Sequence, residues 1–285
     1  MHGTSNVAPA CHSILDDEQI GGFHRDGYLI VRRFLDPEQR DVLHRAAKSD
    51  ATFQQHARVV KDQQGGTAKL VLWNAAGETI YGAIARSHRV VDAMEQLLCS
   101  EVYHYHSKMS IKEPFGGGAW VWHQDYGYWY QNGCLFPEMA SVVIAIDPNT
   151  RQNGCMELLR GSHLMGRIEH GWYGEQLGAD PERTEAAMKV LELVSAELDP
   201  GDGLFFHCNT LHRSGQNQSP IPRWSLLCCY NTRRNSPYKA SPHPGYEKLE
   251  KVADARLAEM GTKTFERGTE FLGRPPTETA AAGKG

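Results

Sequence analysis

Metal-ligating side chains crowd into two short stretches of this 285-residue chain. Trp120-Val-Trp-His123-Gln124-Asp125 puts an imidazole and a carboxylate two positions apart. On a strand such positions share a face, so both can reach one metal ion. Two ligands make a weak site, and Gly201-Asp-Gly-Leu-Phe-Phe-His207-Cys-Asn-Thr-Leu-His212 offers two candidates for a third, His207 and His212. Two histidines and one carboxylate occupy one face of octahedral Fe(II) and leave three adjacent positions for a bidentate cosubstrate and O2. Zinc favours four-coordinate sites richer in nitrogen and sulfur. Arg223 lies 11 residues after His212, at the start of an apolar strand. A guanidinium there can grip a carboxylate with two parallel hydrogen bonds, as the distal carboxylate of 2-oxoglutarate requires. Alone, His-x-Asp is a common chance pattern and Arg223 reads as a strand-edge surface arginine; the combination carries the weight.

These side chains need a rigid β scaffold, and the second half of the chain reads as one. Val102–Lys112 alternates, with Tyr103, Tyr105, Met109 and Ile111 on one side and His104, His106, Lys108 and Ser110 on the other. Further short strands are expected at 141–146, 155–159, 193–198, 203–207 and 223–230, with turns at Asn153-Gly154 and Pro200-Gly201-Asp202-Gly203. The first half is different. Asp16 or Asp17 caps a helix that ends near Gly27, Tyr28–Val31 is a short strand, and Asp36-Pro37 opens a second helix. Residues 50–70 read as a polar loop, and Ser87 caps a helix carrying Val90, Val91, Met94, Leu97 and Leu98. The expected fold is mainly β with flanking helices: a double-stranded β-helix (jelly roll, cupin-like) core over about residues 100–232 behind an N-terminal helical layer. Residues 1–14 read as a loose leader, 15–272 as one domain and 273–285 as a disordered tail.

Composition removes several function classes. Thirty Lys and Arg against 34 Asp and Glu give a net charge of −4, which argues against a nucleic-acid partner held by bulk charge. No run of about 18 apolar residues suggests a membrane span. Seven scattered cysteines without a CxxC pair fit a reducing compartment. With no secretory pattern at the start, the expected location is cytoplasmic.

Four blocks then make a specific resemblance. His123-Gln-Asp125, Gln152-Asn-Gly-Cys155 with Gly161-Ser-His163, Gly201-Asp through Leu-His212-x-Ser-Gly-Gln-Asn to Pro-Arg223, and the opening Phe23-His-Arg-Asp-Gly-Tyr-Leu-Ile-Val-Arg-Arg-Phe-Leu-Asp-Pro-Glu occur in order. Together they resemble the phytanoyl-CoA dioxygenase family, which includes ectoine-hydroxylase-like and aminoethylphosphonate-hydroxylase-like members, over roughly residues 15–240. The resemblance implies Fe(II), 2-oxoglutarate and O2 as cofactor and cosubstrates. It implies His123, Asp125 and His212 as iron ligands, with His212 preferred over His207 because the Ser-Gly-Gln-Asn block follows it. Arg223 and Ser214 match the binders of the cosubstrate carboxylate, and His106 a polar side chain near it. Trp129 resembles a pocket-lining aromatic. Arg213 and Arg160 depart from common Gly and Pro, and Asp125 favours hydroxylation over halogenation. The implied reaction oxidises 2-oxoglutarate to succinate and CO2 while hydroxylating an unactivated C–H bond.

Tyr126, Tyr128, Trp129, Tyr130, Trp172 and Tyr173 are expected either to cage a cationic amine or simply to pack. Lys108, Lys112, Arg151 and Arg213 are anion-binding candidates whose default reading is solvated surface charge. A small polar or zwitterionic metabolite is expected, such as an amine, amino-acid derivative or aminoalkylphosphonate. The alternatives are an acyl-CoA or natural-product hydroxylase of the same family, a hydrolase or isomerase using the same metal pocket, and a non-catalytic jelly-roll binding module. The oligomeric state is open.

Overall fold

A computed structural model describes residues 13–261, 263–265 and 270–272. The expected leader lies almost wholly outside these residues, and the expected tail entirely. Within them, order begins early: the Ile14 N–H donates to Gln96 Oε1 at 3.0 Å.

The helical layer follows its caps. Asp16 closes a capping box with Gln19 at the start of α1 (Asp17–Asp26), and Gly27 ends it at φ 81°. After β1 (Tyr28–Val31), Asp36 and Pro37 open α2 (Pro37–Ser49), which buries Val42, Leu43, Ala46 and Ala47. The expected loop over residues 50–70 is instead α3 (Thr52–His56) and a hairpin of β2 (Arg58–Lys61) with β3 (Thr67–Trp73). Val60, Ala68 and Val71 are buried there while Lys61 is exposed. Lysines on an edge pair deter further strand pairing, and here they disguised the alternation. Next come α4 (Ile80–Arg86) and α5 (His88–Leu98), the latter capped by the Ser87 hydroxyl.

The remaining elements are β4 (Val102–Lys112), β5 (Trp120–His123), α6 (Asp125–Trp129), β6 (Met139–Ala145), β7 (Met156–Leu159), β8 (His170–Tyr173), β9 (Gln176–Ala179), α7 (Pro181–Met188), β10 (Leu193–Ala196), β11 (Gly203–His207), β12 (His212–Ser214), β13 (Arg223–Thr232) and α8 (Arg256–Glu259). Seven strands form one sheet in the order β1-β11-β6-β13-β4-β3-β2, and four form a second, β10-β7-β12-β5. This is the expected jelly roll with its helical layer. The outer face of the large sheet carries Val142, Ile144, Phe205, Leu226 and Cys228 and shares one core with Phe23, Leu43, Ile84 and Val91 from the helices. The inner face, with Val143, Leu204, Phe206 and Leu227, packs on Leu158 and Ala196 of the small sheet. Among the described residues no helix is long and apolar enough to cross a membrane.

The alternation expected along β4 breaks in the middle. The β13 register skips one β4 residue, pairing Cys229 with His106 and Tyr230 with His104. A bulge at Tyr105 reverses the phase. Met109 and Ile111 stay in the helix-facing core, but Tyr103 and Tyr105 join Tyr126 and Trp129 on the other side. His104, expected beside His106, turns away from it, its Nε2 2.7 Å from the Ser107 hydroxyl.

Buried His104 and partly buried His207 give a pH expectation. Burial pushes His104 down to about 4, and burial with His163 nearby does the same to His207. An unfolded histidine titrates near ~6.5. As pH falls, the unfolded chain takes up the protons first, so stability declines from about pH 6.5 and the loss is complete near the folded value. At about pH 5 each ring lowers stability by about 2 kcal/mol. Thermal melts should show the drop between pH 7 and 5, and His104→Gln should flatten it. Equal slopes for the variant and the parent would refute the assignment.

Candidate active site

The small sheet and the turn after β5 bring the three candidate ligands together. His212 on β12 sits directly opposite His123 on β5 in antiparallel register. Their rings lie 4.1 Å apart, and the ligand atoms of His123, Asp125 and His212 all fall within 4.8 Å of one another. The route differs from the expected one. His123 ends a strand while Asp125 begins α6, so the pair converges across a strand-to-helix turn, not along one strand face.

Each candidate ligand is oriented by a partner. His123 Nδ1 lies 2.8 Å from the Val121 carbonyl and His212 Nδ1 2.9 Å from that of Thr210. A carbonyl only accepts, so both Nδ1 atoms carry the proton and both Nε2 lone pairs are free for a metal, the usual second contact of a metal-binding histidine. Burial pushes both rings below the ordinary histidine range, so they are neutral at pH 7. Burial opposes charge on Asp125, but Lys108, then His212 and His123, overcome it and hold the carboxyl below its usual value. Lys108 Nζ lies 3.7 Å from Asp125 Oδ1, and the Ser141 hydroxyl donates to Oδ2 at 3.2 Å. This neutral-nitrogen, ionised-oxygen set, cramped and preorganised, fits a divalent ion with open positions.

Gln124, between the two ligands, points the other way and is fully buried. Its amide donates to the Gly166 and Asn209 carbonyls, both at 2.8 Å, and accepts from Ile168 N at 2.7 Å. His170 Nε2 accepts from Gln124 N at 2.9 Å. The β5–α6 turn is thereby tied to the segment leading into His212. Gln124 and His170 were not identified as positioning residues, since no residue-type signal separates them from ordinary polar side chains. His207, the other candidate third ligand, instead packs against Phe23 and His163 beneath the helical layer.

Beyond the triad lies a second polar seat. Arg223 and Lys112 face each other across β13 and β4, 5% and 0% exposed. Lys112 Nζ donates to Ser214 Oγ at 2.8 Å and to the Gly215 carbonyl. Arg223 Nη1 donates to the Gly154 carbonyl, while its buried Nε has no partner. Gly154 has φ +73°, and a Cβ there would strike the Gly215 carbonyl, so the Asn153-Gly154 turn needs its glycine. Burial pushes Arg223 down to about 10, and burial with Arg223 beside it holds Lys112 well below the ordinary lysine value. Two buried cations without a carboxylate bonded to either call for an anion. Lys112 is an anion-binding candidate whose default reading from the sequence is solvated surface charge, and its burial overturns that default.

The other candidates divide. His106 is buried and lacks any hydrogen-bond partner at Nδ1; its ring stands edge-on to Trp129 at 5.8 Å. Tyr128 stands edge-on to His123 at 5.8 Å, with its hydroxyl donating to the Leu177 carbonyl at 2.6 Å. The six-aromatic cage does not form. Tyr126 spends its hydroxyl on the Cys134 carbonyl, Arg167 covers the Tyr130 ring, and Trp172 is 61% exposed. Arg213 alternates with His212 and Ser214, pairs Glu157 at 2.7 Å and stacks over Trp122, so it turns out of the site. Arg160 pairs Glu192 at 2.8 Å.

The phytanoyl-CoA dioxygenase (PhyH) family profile matches residues 23–225. The chain belongs to that family. Among relatives, the ectoine dioxygenase of Bordetella bronchiseptica is 25% identical over 264 residues, 86% of this chain and 84% of its own. The L-proline trans-4-hydroxylase of Streptomyces griseoviridis is 26% identical over 75% of this chain and 86% of its own. Iron-bound EctD from S. alaskensis shares the fold, with a TM-score of 0.71 at 21% identity over 88% of this chain and 90% of that one. This phytanoyl-CoA dioxygenase family member is thus an oxygenase.

Proposed function

We propose that the protein hydroxylates an unactivated C–H bond of a small zwitterionic amino-acid derivative, with His123, Asp125 and His212 holding Fe(II). The supporting observation is the pairing of that triad with an unneutralised buried cation seat, since a metal site for hydrolysis has no use for the second. Bound Fe(II), with 2-oxoglutarate and O2, supplies the oxidation: the cosubstrate becomes succinate and CO2, and one oxygen atom enters the substrate C–H bond.

The chain's own residues bind, orient and exclude water. Arg223, Ser214 and Lys112 take the distal carboxylate of the cosubstrate, where the unpartnered Arg223 Nε offers a free donor. Trp129, on the helix that Asp125 opens, stands edge-on to His106, and Tyr128 braces the His123 ring. Lys108, poised against Asp125, is the cation available to a substrate carboxylate. Relatives named for ectoine and L-proline make small zwitterions the first compounds to try.

Anaerobic titration of Fe(II) and 2-oxoglutarate into the apoprotein should raise a charge-transfer band near ~500 nm, the mark of a keto acid chelating iron in an open facial site. Ectoine or L-proline should then shift it, and in air should yield succinate with a product heavier by one oxygen. A folded protein with no band contradicts the assignment. A shift with an acyl-CoA and not with zwitterions replaces the substrate class.

A further inference from the structure

Beyond β13 the chain doubles back toward the site. The Tyr238 N–H donates to the Gly133 carbonyl at 3.1 Å, the Tyr246 hydroxyl to Glu101 Oε1 at 2.6 Å, and Val252 N to the Arg86 carbonyl at 2.9 Å. Between these anchors the Asn74 amide Nδ2 donates to the Pro242 carbonyl at 2.7 Å, and Asn74 Oδ1 lies 2.9 Å from His243 Nδ1. The Pro242 carbonyl can only accept, so the Asn74 amide is fixed with its oxygen toward His243. His243 Nδ1 must therefore carry the proton, which leaves Nε2 a lone-pair acceptor.

The strap sets that ring against His106 of β4. His243 stacks on His106, with centroids 4.3 Å apart and planes 24° apart, and lies 4.7 Å from Tyr105. His106 in turn abuts Trp129, and Lys108, two residues along β4, faces Asp125. Burial, with Lys108 and His104 nearby, pushes His243 down to about 4, so the acceptor is free at neutral pH. The ring is neutral and pinned at Nδ1, and among the described residues no hydrogen bond reaches Nε2, which leaves it open to an incoming donor.

We propose that His243 is a specificity-determining residue whose Nε2 accepts an N–H from the substrate, selecting cyclic amino acids with a protonated or N–H-bearing ring nitrogen. The inference rests on the hydroxylase reading above and adds the residue that reads the substrate's nitrogen.

The test uses the Fe(II)–2-oxoglutarate holoenzyme with ectoine and L-proline as probes, comparing the parent, His243→Phe and His243→Gln. Phe keeps the stacked ring without the acceptor; Gln restores an acceptor near the Nε2 position. His243→Phe should leave the 2-oxoglutarate affinity read from the band within about twofold, which also certifies its fold. Its KM for the accepted probe should rise about 10- to 100-fold, the loss of one hydrogen bond to a charged group. Product formed per succinate should fall, and His243→Gln should recover most of both. An unchanged KM in His243→Phe overturns the role, as does an equal rise in the 2-oxoglutarate dissociation constant, or Gln behaving like Phe. A parent that forms the band but responds to neither probe overturns the ligand class. A parent without the band overturns the hydroxylase reading, and this inference falls with it.

Discussion

Asp125→Ala should abolish turnover and also destabilise the protein, for two separable reasons. Losing a ligand should weaken Fe(II) binding by more than the ~10- to 100-fold typical of losing a ligand's hydrogen-bond partner, and succinate formation should drop below detection. The stability cost comes from Lys108. Its Nζ lies 3.7 Å from Asp125 Oδ1, and although burial alone would lower its pKa, the carboxylate raises it. Removing one member of a buried pair strands the other, at a cost of about 3 kcal/mol. Asp125→Ala/Lys108→Met should therefore regain most of the stability in urea melts and none of the iron binding. A double variant that recovers iron-dependent succinate formation would mean that Asp125 is a structural counter-ion and not a ligand.

Much of this was readable from residue types, and the failures share a cause. The helix starts were legible because capping is local: Asp16, Asp36 and Ser87 each satisfy backbone N–H groups within one turn. The clustering of His123, Asp125 and His212 was legible because ligand chemistry restricts residue type. Face assignments failed where geometry departs from a period of two. The β4 bulge sends Tyr103 and Tyr105 to the side of Tyr126 and Trp129, and the turn after His123 carries Asp125 into a helix. Charge assignments failed because burial is a tertiary property. Lys112 and Arg213 look alike in sequence, yet Lys112 is fully buried beside Arg223 while Arg213 pairs Glu157 outside the site. His243 gave no sequence signal, since its place depends on a strap pinned to Asn74, far away in the chain.

Lys112→Met should leave the apoprotein as stable as the parent, or more so, while weakening 2-oxoglutarate binding strongly. In the apoprotein Lys112 and Arg223 lie buried side by side, and burial opposes charge on each, on Lys112 further because of its neighbour. An apolar side chain of similar length removes that conflict. The bound carboxylate changes the sign of the interaction, because it gains a charge-assisted hydrogen bond worth about 1.5–3 kcal/mol, or roughly 10- to 150-fold in affinity. Arg223→Met should show at least as large a loss. The linkage also predicts a proton: Lys112 is held below its ordinary value when the seat is empty and returns upward beside the carboxylate, so binding takes up protons and weakens as pH rises. Calorimetry in buffers of different ionisation enthalpy reads this uptake directly. Saturating 2-oxoglutarate should raise the parent's melting temperature and barely move that of Lys112→Met. The opposite pattern, a lowered apo melting temperature with unchanged cosubstrate affinity, would reduce Lys112 to a tether for the Gly215 carbonyl and leave Arg223 and Ser214 as the seat.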